Sequence, residues 1–185
     1  MVHKTDWNFP DIPYGSDIHQ KLDMVCLKKD VHAIVYIHGG GYFTGNKSQY
    51  PSFLAGYSES HLVASVDYRL IQKDNKIHIG SILYDIHNAL LKILEVSNAN
   101  GINIKDFIFV GHSAGGHIGL LYSCNYLDKN KKNKIAACIS LAGPTDFTDD
   151  VGFSSMTMWG DDTPTMYTDQ IWVTEAMEWI AGFLV

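Results

Sequence analysis

Short, unbroken apolar runs that alternate with helical patterns constrain the fold of this chain most strongly. Such runs occupy residues 33–37, 62–66, 107–110 and 135–142. Runs of four to eight apolar residues are typical of strands buried on both faces of a parallel sheet. Strands that alternate with helices predict an α/β fold, in which a mostly parallel sheet carries helices on both faces.

Residues 80–99 give the clearest helical pattern. Their apolar side chains recur at three- and four-residue spacing, as on the buried face of an amphipathic helix. The polar residues assigned to the opposite face are Asp85, Asn88, Lys92 and Glu95. Residues 21–27 precede this series and predict an edge strand that runs antiparallel to its neighbour.

Length and composition exclude several classes of protein. The 185 residues suffice for one domain with a hydrophobic core, and we expect a single domain over residues 1–185. With 46% hydrophobic and 18% charged residues, the chain is too apolar for a disordered protein. No apolar run approaches the roughly 18 residues of a transmembrane segment. The net charge of −6 disfavours nucleic acid as a partner.

The cysteines and the N-terminus indicate a compartment. The three cysteines lie singly in apolar stretches without CxxC spacing, which favours buried, reduced thiols. The N-terminal residues lack the apolar stretch that follows a basic start in a secretory signal. We therefore expect a cytoplasmic protein.

The strongest chemical signal is the pentapeptide Gly-His-Ser-Ala-Gly at residues 111–115. It stands between the apolar run 107–110 and a helical stretch that begins at Ala114. In this context G-x-S-x-G is typical of a nucleophile elbow, where glycines relieve crowding and the serine adopts a strained backbone. The pattern predicts an exposed Ser113 hydroxyl at the carboxyl end of the sheet, beside the N-terminus of a helix.

A second glycine-rich segment, His-Gly-Gly-Gly-Tyr at residues 38–42, follows the run 33–37 directly. Glycines there let backbone N–H groups point into a cavity, as an oxyanion hole requires. A phosphate-binding loop is the alternative. It is disfavoured because no Gly-Lys-Ser/Thr follows and no acidic residue stands where a dinucleotide-binding fingerprint needs one.

Three segments together resemble the α/β-hydrolase esterases and lipases: residues 38–42, Val-Asp-Tyr-Arg-Leu at 66–70, and Gly-His-Ser-Ala-Gly-Gly-His at 111–117. More narrowly, they are similar to the hormone-sensitive-lipase-like group and the related acetylxylan and feruloyl esterases. Residues 14–23 also resemble the beginning of the acetylxylan and feruloyl esterase sequences. The resemblance covers about residues 14–147 and implies the α/β-hydrolase fold.

The resemblance also implies roles for the matching residues. Ser113 would be the nucleophile, His38 would brace the glycine-rich loop, and residues 67–69 would be structural. The oxyanion hole would consist of the backbone N–H groups of Gly40, Gly41 and Ala114. The implied reaction is acyl transfer, in which Ser113 attacks an ester carbonyl and water later releases the acid.

The sequence departs from this family in the general base and the acid. The fold orders its triad as Ser, Asp or Glu, and His. After Ser113 the only histidine is His117, one helical turn on, where the family pattern implies a packing residue. His112, in the elbow, and His87, in the helix, are no better placed. The acid candidates are Asp146, Asp161 and Asp162, for each of which a turn or helix-cap role is favoured.

The C-terminal tail, residues 148–185, diverges from the resemblance. Residues 171–185 predict a helix with apolar side chains on two faces, which must pack against another surface, in the chain or in an oligomer. The sequence ends without the strand and histidine loop that close the family's sheet. We therefore expect either a fragment of a longer esterase or the product of an interrupted gene.

The leading functional prediction is a serine carboxylic-ester hydrolase acting on a small-molecule ester, crippled if it has no histidine base. An arylformamidase-like amide hydrolase shares the same motifs and stays an alternative. A non-catalytic binding or scaffold domain is the alternative from another class. We expect no metal, because the nine histidines are scattered, and the proposed chemistry needs no cofactor.

Overall fold

The computed structural model describes residues 7–73, 75–126 and 134–145. Its strands are β1 Phe9–Pro13, β2 Lys21–Val25, β3 Asp30–Ile37, β4 Leu62–Val66, β5 Asn103–His112 and β6 Ile135–Leu141. Its α-helices are α1 Ile79–Ala99 and α2 Ala114–Tyr126. Two 3₁₀ segments, Lys47–Gln49 and Ser52–Glu59, connect β3 to β4.

The strands form one sheet in the order β1-β2-β4-β3-β5-β6. Strands β4, β3, β5 and β6 are parallel, whereas β1 and β2 are antiparallel additions. At the carboxyl ends, Ile37 of β3 aligns with Val66 of β4 and with Gly111 of β5. The segments that follow these three strands therefore leave the sheet side by side.

The predicted α/β architecture is confirmed, with one correction at the antiparallel end. The run 62–66 is strand β4, residues 33–37 end β3, and α1 contains residues 80–99. Residues 21–27 were expected to form an antiparallel edge strand; β2 is antiparallel as expected, but it lies inside the sheet, between β1 and β4. The edge is β1, whose Pro10 and Pro13 are tolerated there because an edge strand need not donate every N–H.

The core lies mainly on the face of the sheet that α1 and α2 cover. Val35 and Phe109 point to this face and pack in one cluster with both helices. Alternate residues of the same strands point the other way, where Ile34, Tyr36 and Val110 pack with Leu54 of the second 3₁₀ segment. Each central strand is thus buried on both sides, as its unbroken apolar sequence requires.

Strand β6 departs from the expectation that run 135–142 is buried on both faces. Ile139 and Leu141 remain 49% and 37% exposed. Within the described residues β6 pairs with β5 alone, and α2 covers one of its faces. The predicted tail helix at 171–185 lies outside the described residues. None of the described helices has the length and apolar content of a membrane span.

Candidate active site

Ser113 lies in the turn between the last residue of β5 and the first residue of α2. Its φ of 50° is in the left-handed region, which a residue with a Cβ adopts only where its surroundings enforce it. The Ser113 N–H donates to the carbonyl oxygen of Leu141 on β6 at 2.8 Å, which ties the turn to the sheet. The turn therefore has the backbone geometry that the pentapeptide predicts.

Two glycines make this turn sterically possible. A Cβ built on Gly111 would lie within 3.0 Å of backbone atoms of Gly115 and Gly116. A Cβ on Gly115 would lie equally close to the carbonyl oxygens of Ile37 and His38. The first turn of α2 therefore packs directly on the end of β3, with no space for a side chain between them.

The N-terminus of α2 faces the Ser113 turn. The Ser113 carbonyl oxygen accepts hydrogen bonds from the N–H groups of Gly116 and His117, at 2.9 and 3.2 Å. The Ala114 and Gly115 amides begin the helix, so they have no acceptor within it. These amides and the helix dipole make this position favourable for negative charge.

The glycine loop, residues 38–42, follows β3 and folds into a left-handed turn. Gly40, Gly41 and Tyr42 have φ values of 110°, 59° and 71°. The Gly40 carbonyl oxygen accepts hydrogen bonds from the N–H groups of Phe43 and Thr44, both at 3.1 Å. The chain thus reverses tightly and keeps this loop at the carboxyl end of the sheet.

Gly39 brings the glycine loop into contact with the Ser113 turn. A Cβ built on Gly39 would lie 2.8 Å from the His112 carbonyl oxygen and 3.2 Å from the Ser113 Cβ. The loop backbone therefore borders the Ser113 side chain, so closely that only glycine fits at position 39. Two motifs more than 70 positions apart in the sequence are therefore adjacent in space.

His38 supports the glycine loop from within the core. Its ring is fully buried and stacks on the Tyr68 ring, with centroids 4.3 Å apart and planes 8° from parallel. The Tyr68 hydroxyl donates to the His38 carbonyl oxygen at 3.0 Å. Burial lowers the pKa of His38 to about 4, so the ring is neutral near pH 7. The sequence motifs do not predict this contact with Tyr68.

The segment after β4 is fixed by charged groups on both sides. The Asp67 carboxylate accepts the Lys47 N–H, and Lys47 Nζ forms 2.8 Å ion pairs with Asp11 and Asp23. Burial is the main influence on Asp67 and raises the pKa of its carboxyl. These contacts join β1, β2 and the chain after the glycine loop.

Arg69 and Asp85 form an ion pair in which the carboxylate is buried and the guanidinium is partly exposed, and this pair contradicts the predicted polar face of α1. Asp85 was assigned to the solvent side, yet it is 0% exposed. The Arg69 Nη2 lies 2.7 Å from its Oδ1, and Gln20 Nε2 donates to the same oxygen at 2.8 Å. The pattern of α1 alone could not reveal a carboxylate buried by an arginine from another segment.

His117 packs against the glycine loop. Its Nδ1 forms a 2.9 Å hydrogen bond with the Tyr42 hydroxyl, and both side chains are buried. Burial lowers the pKa of His117 to about 4. His117 was predicted to be a packing residue one helical turn after Ser113, but the motifs do not predict Tyr42 as its partner.

The other histidines do not form a triad with Ser113 in the described part of the chain. His87 shares a hydrogen bond with the Tyr122 hydroxyl, between α1 and α2. The histidine–carboxylate pairs among these residues are His19 with Asp17 and His32 with Asp106. His32 lies near the amino end of β3, whereas Ser113 follows the carboxyl end of β5. The acid candidates Asp146, Asp161 and Asp162 lie outside the described residues.

The residues that the structure describes hold no cluster of three or more histidine, cysteine or carboxylate side chains suited to a metal ion. All three cysteines are free thiols: Cys26 is buried, Cys138 is half-buried and Cys124 is exposed. At the carboxyl end of the sheet, the described residues place the Ser113 side chain beside the glycine loop and the first residues of α2.

The two buried histidines predict that stability depends on pH. His38 and His117 have folded-state pKa values of about 4, below the ordinary 6.5. As the pH falls from about 6.5 to about 4, these histidines take up protons in the unfolded chain before they do so in the folded chain. The free energy of unfolding is therefore highest above about pH 6.5 and declines toward pH 4. We expect each histidine to lower the free energy of unfolding by about 2 kcal/mol at pH 5 relative to pH 7. Urea unfolding at both pH values measures this loss, and His117→Asn should remove about half of it. An unchanged pH dependence in that variant would contradict the argument.

The chain is similar to known proteins in both sequence and structure. The BD-FAE family model matches residues 22–177. Among solved structures, a bacterial heroin esterase is 24% identical, with a TM-score of 0.58 over 78% of this chain and 45% of that protein. Esterase B of Lactobacillus rhamnosis is 19% identical, with a TM-score of 0.59 over 88% of this chain and 56% of that protein. No curated protein sequence matches the chain.

Esterase 2 of Thermogutta terrifontis gives a TM-score of 0.61 at 16% identity, over 80% of this chain and 61% of that protein. The chain thus spans 45% to 61% of the length of these three esterases. Structural similarity at such low sequence identities shows a shared fold. The match to the family model covers more than half of the sequence and shows the family. The chain belongs to the BD-FAE family, a carboxylesterase-like family of the α/β-hydrolase fold.

Proposed function

We propose that the chain is a serine carboxylic-ester hydrolase in which Ser113 is the nucleophile. The observation that carries this proposal is the contact of the glycine loop with the Ser113 turn through Gly39. Ser113 Oγ attacks the ester carbonyl, its proton passes to the alcohol oxygen, and the alcohol leaves as an acyl-enzyme forms. Water then attacks the acyl group, the carboxylic acid leaves, and a proton from the water regenerates the Ser113 hydroxyl.

The tetrahedral oxyanion is bound by the backbone N–H groups of Gly40, Gly41 and Ala114. Two observations support this role: the first amides of α2 come directly after Ser113, and the left-handed glycine loop borders the Ser113 side chain at Gly39. Each oxyanion donor of this kind contributes about 3 kcal/mol in the transition state. His38 braces the loop and stays neutral, so it transfers no proton.

Hydrolysis of a short-chain nitrophenyl ester by wild type and Ser113→Ala tests the proposal. We expect Ser113→Ala to lower kcat/KM by at least about 100-fold, because the acyl-enzyme route is lost. Ser58→Ala, which removes a hydroxyl in the 3₁₀ segment, is the matched control and should leave the rate unchanged. Equal rates for wild type and Ser113→Ala would overturn the proposal in favour of a binding or scaffold domain.

Two further arms sharpen this experiment. Because the 185 residues hold no histidine after His117, added imidazole should supply a base and raise the Ser113-dependent rate.

The Thermogutta terrifontis esterase 2 is phosphorylated by paraoxon. We expect paraoxon to add one diethylphosphoryl group to this chain and none to Ser113→Ala, as mass spectrometry would measure. An aryl formamide in place of the ester tests the amide-hydrolase alternative.

A further inference from the structure

Tyr42 ends the glycine loop in a conformation that bulky residues rarely adopt. Its φ of 71° follows positive φ values at Gly40 and Gly41, but Tyr42 lacks the freedom of glycine. A left-handed backbone is unfavourable for a residue with a Cβ, because the Cβ approaches the carbonyl oxygen that follows it. Contacts outside the loop must offset this cost, since nothing in a left-handed turn favours tyrosine over glycine.

Two hydrogen bonds from different elements anchor Tyr42. Its carbonyl oxygen accepts from the Ile71 N–H at 2.9 Å, in the segment that follows β4. Its hydroxyl bonds to His117 Nδ1 on α2, also at 2.9 Å, and the two rings meet edge to face with centroids 6.0 Å apart. Tyr42 therefore connects the glycine loop to the helix that starts beside Ser113.

His117 contacts both halves of the site. Its N–H donates to the Ser113 carbonyl oxygen, while its ring bonds to Tyr42. Because Nδ1 is used for this bond and the ring is buried, His117 is suited to hold a position and unsuited to exchange protons with Ser113 Oγ. This explains why a histidine stands on the buried side of α2, where a purely apolar side chain would also pack.

We propose that Tyr42 and His117 are a positioning pair that holds the glycine loop at a fixed distance from Ser113. The inference rests on the proposed function, because it assigns this purpose within the same site. Without the bond, Tyr42 can relax toward an ordinary φ and carry the amides of Gly40 and Gly41 with it. A misplacement of about 1 Å costs on the order of 100-fold in rate, so small shifts matter.

Tyr42→Phe is the principal test, since it removes only the hydroxyl. We expect kcat for the nitrophenyl ester to fall by about 10-fold or more while KM changes little, because the loss falls on the transition state. The matched control is Tyr122→Phe, in the same helix as His117, which breaks a 2.9 Å bond to His87 of α1. That control should keep the wild-type kcat.

Substitutions of His117 separate positioning from simple packing. His117→Asn keeps a hydrogen-bonding group near the place of Nδ1, whereas His117→Leu keeps bulk alone. We expect Asn to retain more of kcat than Leu. Combining His117→Leu with Tyr42→Phe should lower kcat no further than either change alone, because both break the same bond. Equal kcat for Asn and Leu, or additive losses, would overturn the proposal.

Amide hydrogen exchange of residues 38–45 tests the pair without any turnover. Tyr42→Phe should accelerate exchange in this peptide by about 10-fold, because the loop opens more easily, and Tyr122→Phe should not. Unchanged exchange in Tyr42→Phe would overturn the proposal. If wild type shows no Ser113-dependent turnover, the proposed function fails, and the exchange result alone then supports or overturns the pair.

Discussion

Replacement of Gly115 by alanine should lower the free energy of unfolding by at least about 3 kcal/mol, near the upper end for overpacking a core. The new methyl group would lie within 3.0 Å of the Ile37 and His38 carbonyl oxygens. Both are backbone atoms at the carboxyl end of β3 and cannot rotate away. Relief therefore requires α2 to move off the sheet, and this separates Ser113 from the glycine loop.

The matched control for this prediction is Gly119→Ala, in the same helix. Its Cβ would meet the Cys138 Sγ at 3.1 Å, and that side chain can give way. Alanine favours a helix interior over glycine by about 1 kcal/mol, so the control should be neutral or stabilising. Urea unfolding of both variants at pH 7 gives the difference. Equal stabilities of the two variants would mean that α2 does not pack directly on the backbone of β3 at Gly115.

The parts of the fold that follow from local pattern were predictable. Residues 62–66 are apolar throughout and form β4, because a strand buried on both faces needs no polar alternation. The helix at 80–99 follows from its spacing, and the Ser113 turn from glycines that only a crowded turn requires. In each case the residues that decide the structure are close together in the sequence.

Features that depend on distant partners were not predictable. The place of β2 inside the sheet depends on β1, whose two prolines hide its strand pattern. Asp85 is polar in a helical pattern and is buried only because Arg69, sixteen positions earlier, neutralises it. The bond between Tyr42 and His117 joins residues 75 positions apart. Sequence reasoning found each glycine-rich motif but not the side chains that hold the motifs together.

Arg69→Met is the second substitution with a large expected effect. It leaves the Asp85 carboxylate buried, and the hydrogen-bond donors that remain to it among the described residues are the Gln20 side-chain amide and the backbone N–H of residue 69. Breaking a buried ion pair in this way typically costs 3–5 kcal/mol, and we expect a loss of about 3 kcal/mol or more in urea unfolding at pH 7. Lys92→Met, which breaks the exposed pair with Glu95, is the control and should cost less than about 1 kcal/mol.

The double variant Arg69→Met with Asp85→Asn identifies the source of this cost. A neutral amide at position 85 no longer leaves a charge without a counterion, so the double variant should be more stable than Arg69→Met alone. If it is less stable, the loss comes from the packing of the arginine side chain.

Arg69 also directly follows Tyr68, whose ring stacks on His38. We therefore expect Arg69→Met to accelerate hydrogen exchange in the glycine loop, because the same ion pair fixes the segment on which that loop rests.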